Sequence, residues 1–203
     1  MNFRIIISVL LTGAGLMLAL MPAPKENTFK LKPEEFQHKM LAEEENSFSV
    51  DQVARFVNRE DSSIQLIDVR QPEEYKVCNI PGSINIPLSD LLNPDWQGYL
   101  DQEKVTNIFY SNGDRDASLA WGITTGLGYK NNSVMKGGLN EWYKTVMLSE
   151  FKGESITPRE NVLFENRYKA RRIFNEMNSL PDSLKNVFLQ AKRQEESQID
   201  GGC

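Results

Sequence analysis

Histidine and cysteine are nearly missing from this chain, which has one histidine, His38, and two cysteines, Cys78 and Cys203, in 203 residues. A zinc-type centre needs three or four such ligands together, so none is expected, and neither is any other metal or cofactor. Two cysteines so far apart do not make a disulfide framework. An excess of positive charge is missing too. The 23 Lys and Arg against 28 Asp and Glu leave a net charge of -5, which offers no broad basic surface for nucleic acid. The length suits one core of ordinary size with appendages rather than two full domains.

Charge is also absent from the run Ile5 to Met21, which follows Arg4. A basic start and an apolar run of this size fit a signal anchor or a signal peptide over residues 1–24. Ala19-Leu20-Met21 ends in a poor small-residue substitute, and Met21-Pro22-Ala23 is followed by Pro24, so neither is a good cleavage site. No cysteine follows the run to take a lipid. The short basic N-terminus places the rest of the chain across the membrane. The expected location is therefore membrane-anchored through residues 5–21 and facing the periplasm or extracytoplasmic side, or secreted if the leader is cleaved.

Residues 25–46 read as a linker with a short helix: Pro33-Glu34-Glu35 makes a good first turn, and Phe36, Met40 and Leu41 share one face. Residues 47–148 alternate between helix-like and strand-like stretches. Val53, Phe56 and Val57 mark a helix, Ile64 to Val69 a branched strand, and Gln71 to Tyr75 a short helix. Ser83 to Pro87 and Val105 to Tyr110 are further strands. A helix follows over Asp116 to Leu127, with Leu119, Ala120, Ile123 and Leu127 facing inward, then a strand at Ser133 to Met135 and a helix from Leu139 to Val146. Such alternation implies an α/β fold with a mostly parallel sheet covered on both faces. Residues 149–203 form a helical tail. Pro158 starts one helix with the stripe Ala170, Ile173, Phe174 and Met177, and after Pro181 come Leu184, Val187, Phe188 and Ala191. Arg167, Lys169, Arg171 and Arg172 cluster on the tail, where a solvated helix face is the expectation. Gln194 to Cys203 is polar, as mobile termini are.

Ile67-Asp68-Val69-Arg70, Pro72-Glu73-Glu74-Tyr75 and Asn79-Ile80-Pro81-Gly82-Ser83-Ile84-Asn85-Ile86-Pro87 resemble the opening half of a rhodanese-like domain. Gly128-Tyr129, Val134, Gly137-Gly138 and Trp142 resemble its closing half. The resemblance implies the rhodanese-like α/β fold and sulfurtransferase chemistry, in which one cysteine carries sulfane sulfur as a persulfide. That cysteine opens a loop of the form Cys-x-x-Gly-x-Arg, whose N–H groups, with the positive end of the next helix, stabilise a thiolate and attract an anion.

The corresponding stretch here is Tyr110-Ser111-Asn112-Gly113-Asp114-Arg115. Gly113 and Arg115 fall on the family's glycine and arginine, which puts Tyr110 at the cysteine position; a shorter loop would put Ser111 there. Neither supplies a thiol, and a phenol forms no persulfide. Asp68 and Arg70 are expected to support the loop. The resemblance also implies a histidine before Ile-Pro-Gly, where this chain has Asn79, and the acids Asp114 and Asp116 make the loop less attractive to anions. Phosphatase-like chemistry would need the same missing cysteine. Two readings follow. One is an exported binding or regulatory module without standard thiosulfate sulfurtransferase activity. The other is an atypical sulfurtransferase or sulfur carrier that uses Cys203, on its Gly201-Gly202 tip, or Cys78 in a loop at the sheet's carboxyl edge. A protein partner or sulfur acceptor belongs to either.

Overall fold

The computed structural model describes residues 29–41, 46–151, 153, 157–181 and 184, with residues 3, 4, 7, 11–13 and 17. The leader expected over residues 5–21, the second tail stripe beyond Leu184, and Cys203 therefore lie largely or wholly outside the described residues. Among those described, no helix is long and apolar enough to cross a membrane.

Five parallel strands make one sheet: β1 (Ser47–Phe48), β2 (Ile64–Asp68), β3 (Ile84–Asn85), β4 (Thr106–Tyr110) and β5 (Asn132–Met135), in the order β1-β5-β4-β2-β3. The register sets Ile67 beside Phe109, Asp68 beside Tyr110, and Phe109 beside Val134. The helices are α1 (Pro33–Leu41), α2 (Val50–Arg59), α3 (Pro72–Val77), α4 (Gln97–Leu100), α5 (Asp114–Gly126), α6 (Gly138–Trp142) and α7 (Pro158–Asn178). A π-type turn, Tyr143–Met147, continues α6.

Successive strand residues point to opposite faces, so the sheet separates two cores. Leu66, Ile108, Tyr110 and Met135 meet Val53, Ala54, Trp142, Ala170 and Phe174 on the face covered by α2, α6 and α7. Ile67, Phe109 and Val134 meet Ala117, Ala120, Trp121 and Leu127 beneath α5 on the other. Continuous apolar strands such as Ile108-Phe109-Tyr110, all fully buried, are what two covered faces demand.

Some expectations need correction. Leu119 is 47 % exposed. The inward face of α5 is instead set by Ala117, Ala120, Trp121 and Thr124, because Trp121 anchors its indole N–H on the Asn132 carbonyl at 2.9 Å. Gly126, the last residue of α5, is buried, and a Cβ there would run into the Phe29 ring. Phe29 and α1 dock on this flank of α5. Lys30 N–H donates to the Gly126 carbonyl, and Met40 packs over Gly122.

The tail helix α7 begins as its sequence suggests. Thr157 and Glu160 form a reciprocal capping box around Pro158. Its basic cluster is only in part the solvated face expected: Lys169 and Arg172 are exposed, whereas Arg167 and Arg171 are half-buried. Arg167 grips the Asp51 carboxylate through two bonds of 2.7 Å, and Lys169 donates to the Asn58 carbonyl. Arg171 donates to the carbonyls of Met147 and Ser149, and Arg172 alone pairs within the helix, with Glu176.

Candidate functional site

In a parallel sheet the loops after the strands gather at the carboxyl edge. Here the segments after β2, β4 and β5 meet around the residues Ser111, Asn112 and Gly113. Tyr110 is not in that loop: it is the last residue of β4 and is fully buried. Its side chain runs into the core shared with Ile80, Met135 and Trp142. The phenol oxygen accepts the Ile80 N–H at 3.1 Å and lies 2.8 Å from the Ser83 hydroxyl. Burial, then the charge of Asp68 and the proximity of Tyr75, push the phenol well above its ordinary value, against the opposing pull of its hydrogen bonds. It stays protonated. The position that the resemblance gives to a thiol therefore holds a neutral phenol turned into the core.

The loop is held by its neighbours. The Leu139 and Asn140 N–H groups, at the start of α6, donate to the carbonyls of Ser111 and Asn112 at 2.9 and 3.0 Å. The positive end of α6 is thereby spent on the loop's own carbonyls. The Asp114 carboxylate accepts the Gly137 N–H. The glycine that this packing requires is Gly138 rather than Gly113. Gly138 has φ +56, and a Cβ on it would sit 2.5 Å from the Ser111 carbonyl oxygen, whereas Gly113 has φ -142 and open space around it.

Arg115 is exposed on the first turn of α5. The arginine that reaches the loop is Arg70. Buried at 6 % exposure beside the wholly buried Asp68, it makes three side-chain bonds to that carboxylate, the shortest 2.6 Å. It also donates to Asn112 Oδ1 at 3.4 Å and to the Cys78 carbonyl at 2.7 Å. Burial pulls its pKa down, but Asp68, with smaller contributions from Tyr110 and Cys78, more than offsets this and raises it. Asn112 completes the corner by donating to Glu74 at 2.8 Å.

Cys78 caps the C-terminus of α3 and is half-buried against the core that holds Tyr110. The structure thus brings Asp68, Arg70, Cys78, Tyr110, Ser111 and Asn112 together. It leaves Arg115 at the rim, and Cys203 is outside the described residues. Sequence reasoning missed Asn178. From the last turn of α7 it accepts the Asn79 N–H at 3.0 Å and donates to the Asn79 carbonyl at 2.9 Å, across 99 residues of chain. Nothing local in the sequence signals that contact. The Tyr75 hydroxyl, which donates to the Ser83 carbonyl at 2.6 Å, was also not singled out as a site residue.

Residues 49–145 match the model of the rhodanese-like domain. A thiosulfate:glutathione sulfurtransferase of Saccharomyces cerevisiae is 30 % identical over 106 residues, which cover 47 % of this chain and 76 % of the yeast protein. The adenylyltransferase and sulfurtransferase uba4 of Ogataea parapolymorpha is 37 % identical over 82 residues, 40 % of this chain but only 20 % of that longer protein. Among solved structures, the BH2092 protein of Bacillus halodurans aligns over 56 % of this chain and 82 % of its own, with 25 % identity and a TM-score of 0.46.

Proposed function

We propose a function from one premise: the chain belongs to the rhodanese-like family, whose sulfurtransferase members are its homologues. It is a rhodanese-fold binding or regulatory module rather than a standard thiosulfate sulfurtransferase. The observation that carries this reading is Tyr110. The residue that the resemblance places at the persulfide cysteine, with Gly113 and Arg115 as its anchors, is a buried, protonated phenol whose oxygen is already bonded to Ile80 and Ser83. The uncharged run after Arg4 supports a membrane anchor through residues 5–21, with the domain on the extracytoplasmic side. There it would present its carboxyl edge to a protein partner.

One observation favours a second reading, an atypical sulfurtransferase or thiol carrier. Cys78 stands beside Arg70, whose guanidinium bonds the Cys78 carbonyl and also reaches Asn112. Cys203, the other thiol, lies outside the described residues.

Thiosulfate with cyanide or glutathione as acceptor separates the readings. The full chain is expected to show no turnover, and intact mass no added sulfur on either cysteine. Turnover that disappears in Cys78→Ala or Cys203→Ala would overturn the binding reading in favour of the carrier. Tyr110→Cys, checked for folding by circular dichroism, is expected to gain thiosulfate reactivity. A folded but inert variant would instead count against Tyr110 as the cysteine equivalent.

A further inference from the structure

The family match ends at residue 145, yet α7, which begins at Pro158, reaches the candidate site with its last turn. Asn178 holds both backbone groups of Asn79, in the way a neighbouring strand would, and Asn79 follows Cys78 directly. One residue further on, the Ile80 N–H donates to the Tyr110 hydroxyl. The Cys78–Ile80 segment is therefore fixed from three sides: by Arg70 at Cys78, by Asn178 at Asn79 and by Tyr110 at Ile80.

The attachment of α7 is of an unusual kind. Ala170 and Phe174 are its buried residues, with Ile173 and Met177 half-buried beside them. Most of the rest of the seam is polar: Arg167 with Asp51, Asn166 with Asn58 and the Asp51 carbonyl, Lys169 with the Asn58 carbonyl, and Arg171 with two carbonyls. Water can replace every one of these bonds. Two buried polar atoms without a partner, Asn58 Oδ1 and Trp142 Nε1, belong to residues in that seam; Asn58 bonds Asn166, and the Trp142 ring packs at 6.2 Å from Phe174. Few apolar contacts and solvent-exchangeable bonds are the marks of a unit that opens while the rest of a domain stays folded.

We infer that α7 is a releasable strap, and that Asn178 is the positioning residue through which it seats the Cys78–Ile80 segment and governs access to the corner formed by Cys78, Arg70 and Asn112. The inference goes beyond the proposed function. It concerns access to the corner and stands whether the site binds a partner or carries sulfur.

The test is alkylation of Cys78 by iodoacetamide in the full chain carrying Cys203→Ser, read together with amide hydrogen exchange. Two hydrogen bonds of ordinary net strength correspond to roughly a thirtyfold shift in an opening equilibrium. Asn178→Ala is expected to speed Cys78 alkylation by about that factor, with faster exchange at residues 78–80 and in the last turn of α7. Exchange in β4 is expected to stay unchanged. Asn161→Ala, on the outer side of the first turns, is expected to leave the alkylation rate as it was. An unchanged rate in Asn178→Ala would overturn the inference. So would a rise accompanied by equally faster exchange in β4, because that is global loosening rather than release of a strap.

Discussion

The Tyr110 hydroxyl is the meeting point of two strand connections: through it the end of β4 holds Ile80 and Ser83, which lead into β3. Tyr110→Phe keeps the ring and removes both bonds, leaving a buried N–H and a buried hydroxyl without this partner. Such losses cost about 1–3 kcal/mol. The expected outcome is an unfolding free energy lower by that amount, read as a lower urea midpoint with an unchanged slope of unfolding against urea. An unchanged midpoint would mean that the two bonds add nothing net. The Asp68–Arg70 pair is different in kind. Both groups are buried, and removing one charge leaves the other uncompensated. Arg70 cannot be treated as an anion receptor standing ready, since its fork is already committed to Asp68, the Cys78 carbonyl and Asn112.

Among the elements, the flank of α5 gives the sharpest steric test. Gly122 and Gly126 lie one turn apart and receive Met40 and Phe29. In Gly126→Ala the new methyl overlaps the Phe29 ring, and overpacking of this sort typically costs about 1–3 kcal/mol. The segment 29–41 is expected to lift off and to be cut faster in limited proteolysis. Phe29→Ala, which removes the clash, is expected to cost less in the Gly126→Ala background than alone. The order of strands and helices was legible because Ile64 to Asp68 and Thr106 to Tyr110 are rich in apolar and branched residues and are punctuated by Pro and Gly. Two short pieces were not. Ser47–Phe48 has too few residues to show a period, and α4 is a single turn. The loop after β4 could be located from Gly113, and Arg70 was expected as its support from the resemblance. Gly138, which meets the loop backbone, and Asn178, which holds the neighbouring Asn79, act across long stretches of chain that no spacing rule connects. The same holds for the basic residues of α7, whose partners Asp51 and Asn58 lie far back in the sequence.

On the scale of the whole molecule, the buried phenol couples stability to alkaline pH. Tyr110 is raised in the folded state, and Tyr129 is raised as well, by burial first and by Asp101 second. For an acid the sign follows directly. The folded state keeps its proton to higher pH than the unfolded chain, so the stabilisation is complete below the unfolded value near 10 and is lost as pH rises above it towards the folded value. Urea midpoints are expected to hold steady on the neutral side and to fall above pH 10 or so, and Tyr110→Phe is expected to flatten that fall. A parallel decline in both proteins would assign the effect to other groups. The seat of α7 also has a consequence in time. The helix packs on α2 and on the loop after α3, both of which are made long before it. During synthesis from the N-terminus, the sheet and its loops emerge first and the strap last. A growing chain therefore passes through an interval in which β4 is complete and the Cys78 corner still lacks its cover, so the newborn protein meets its surroundings in a more open form than the finished one.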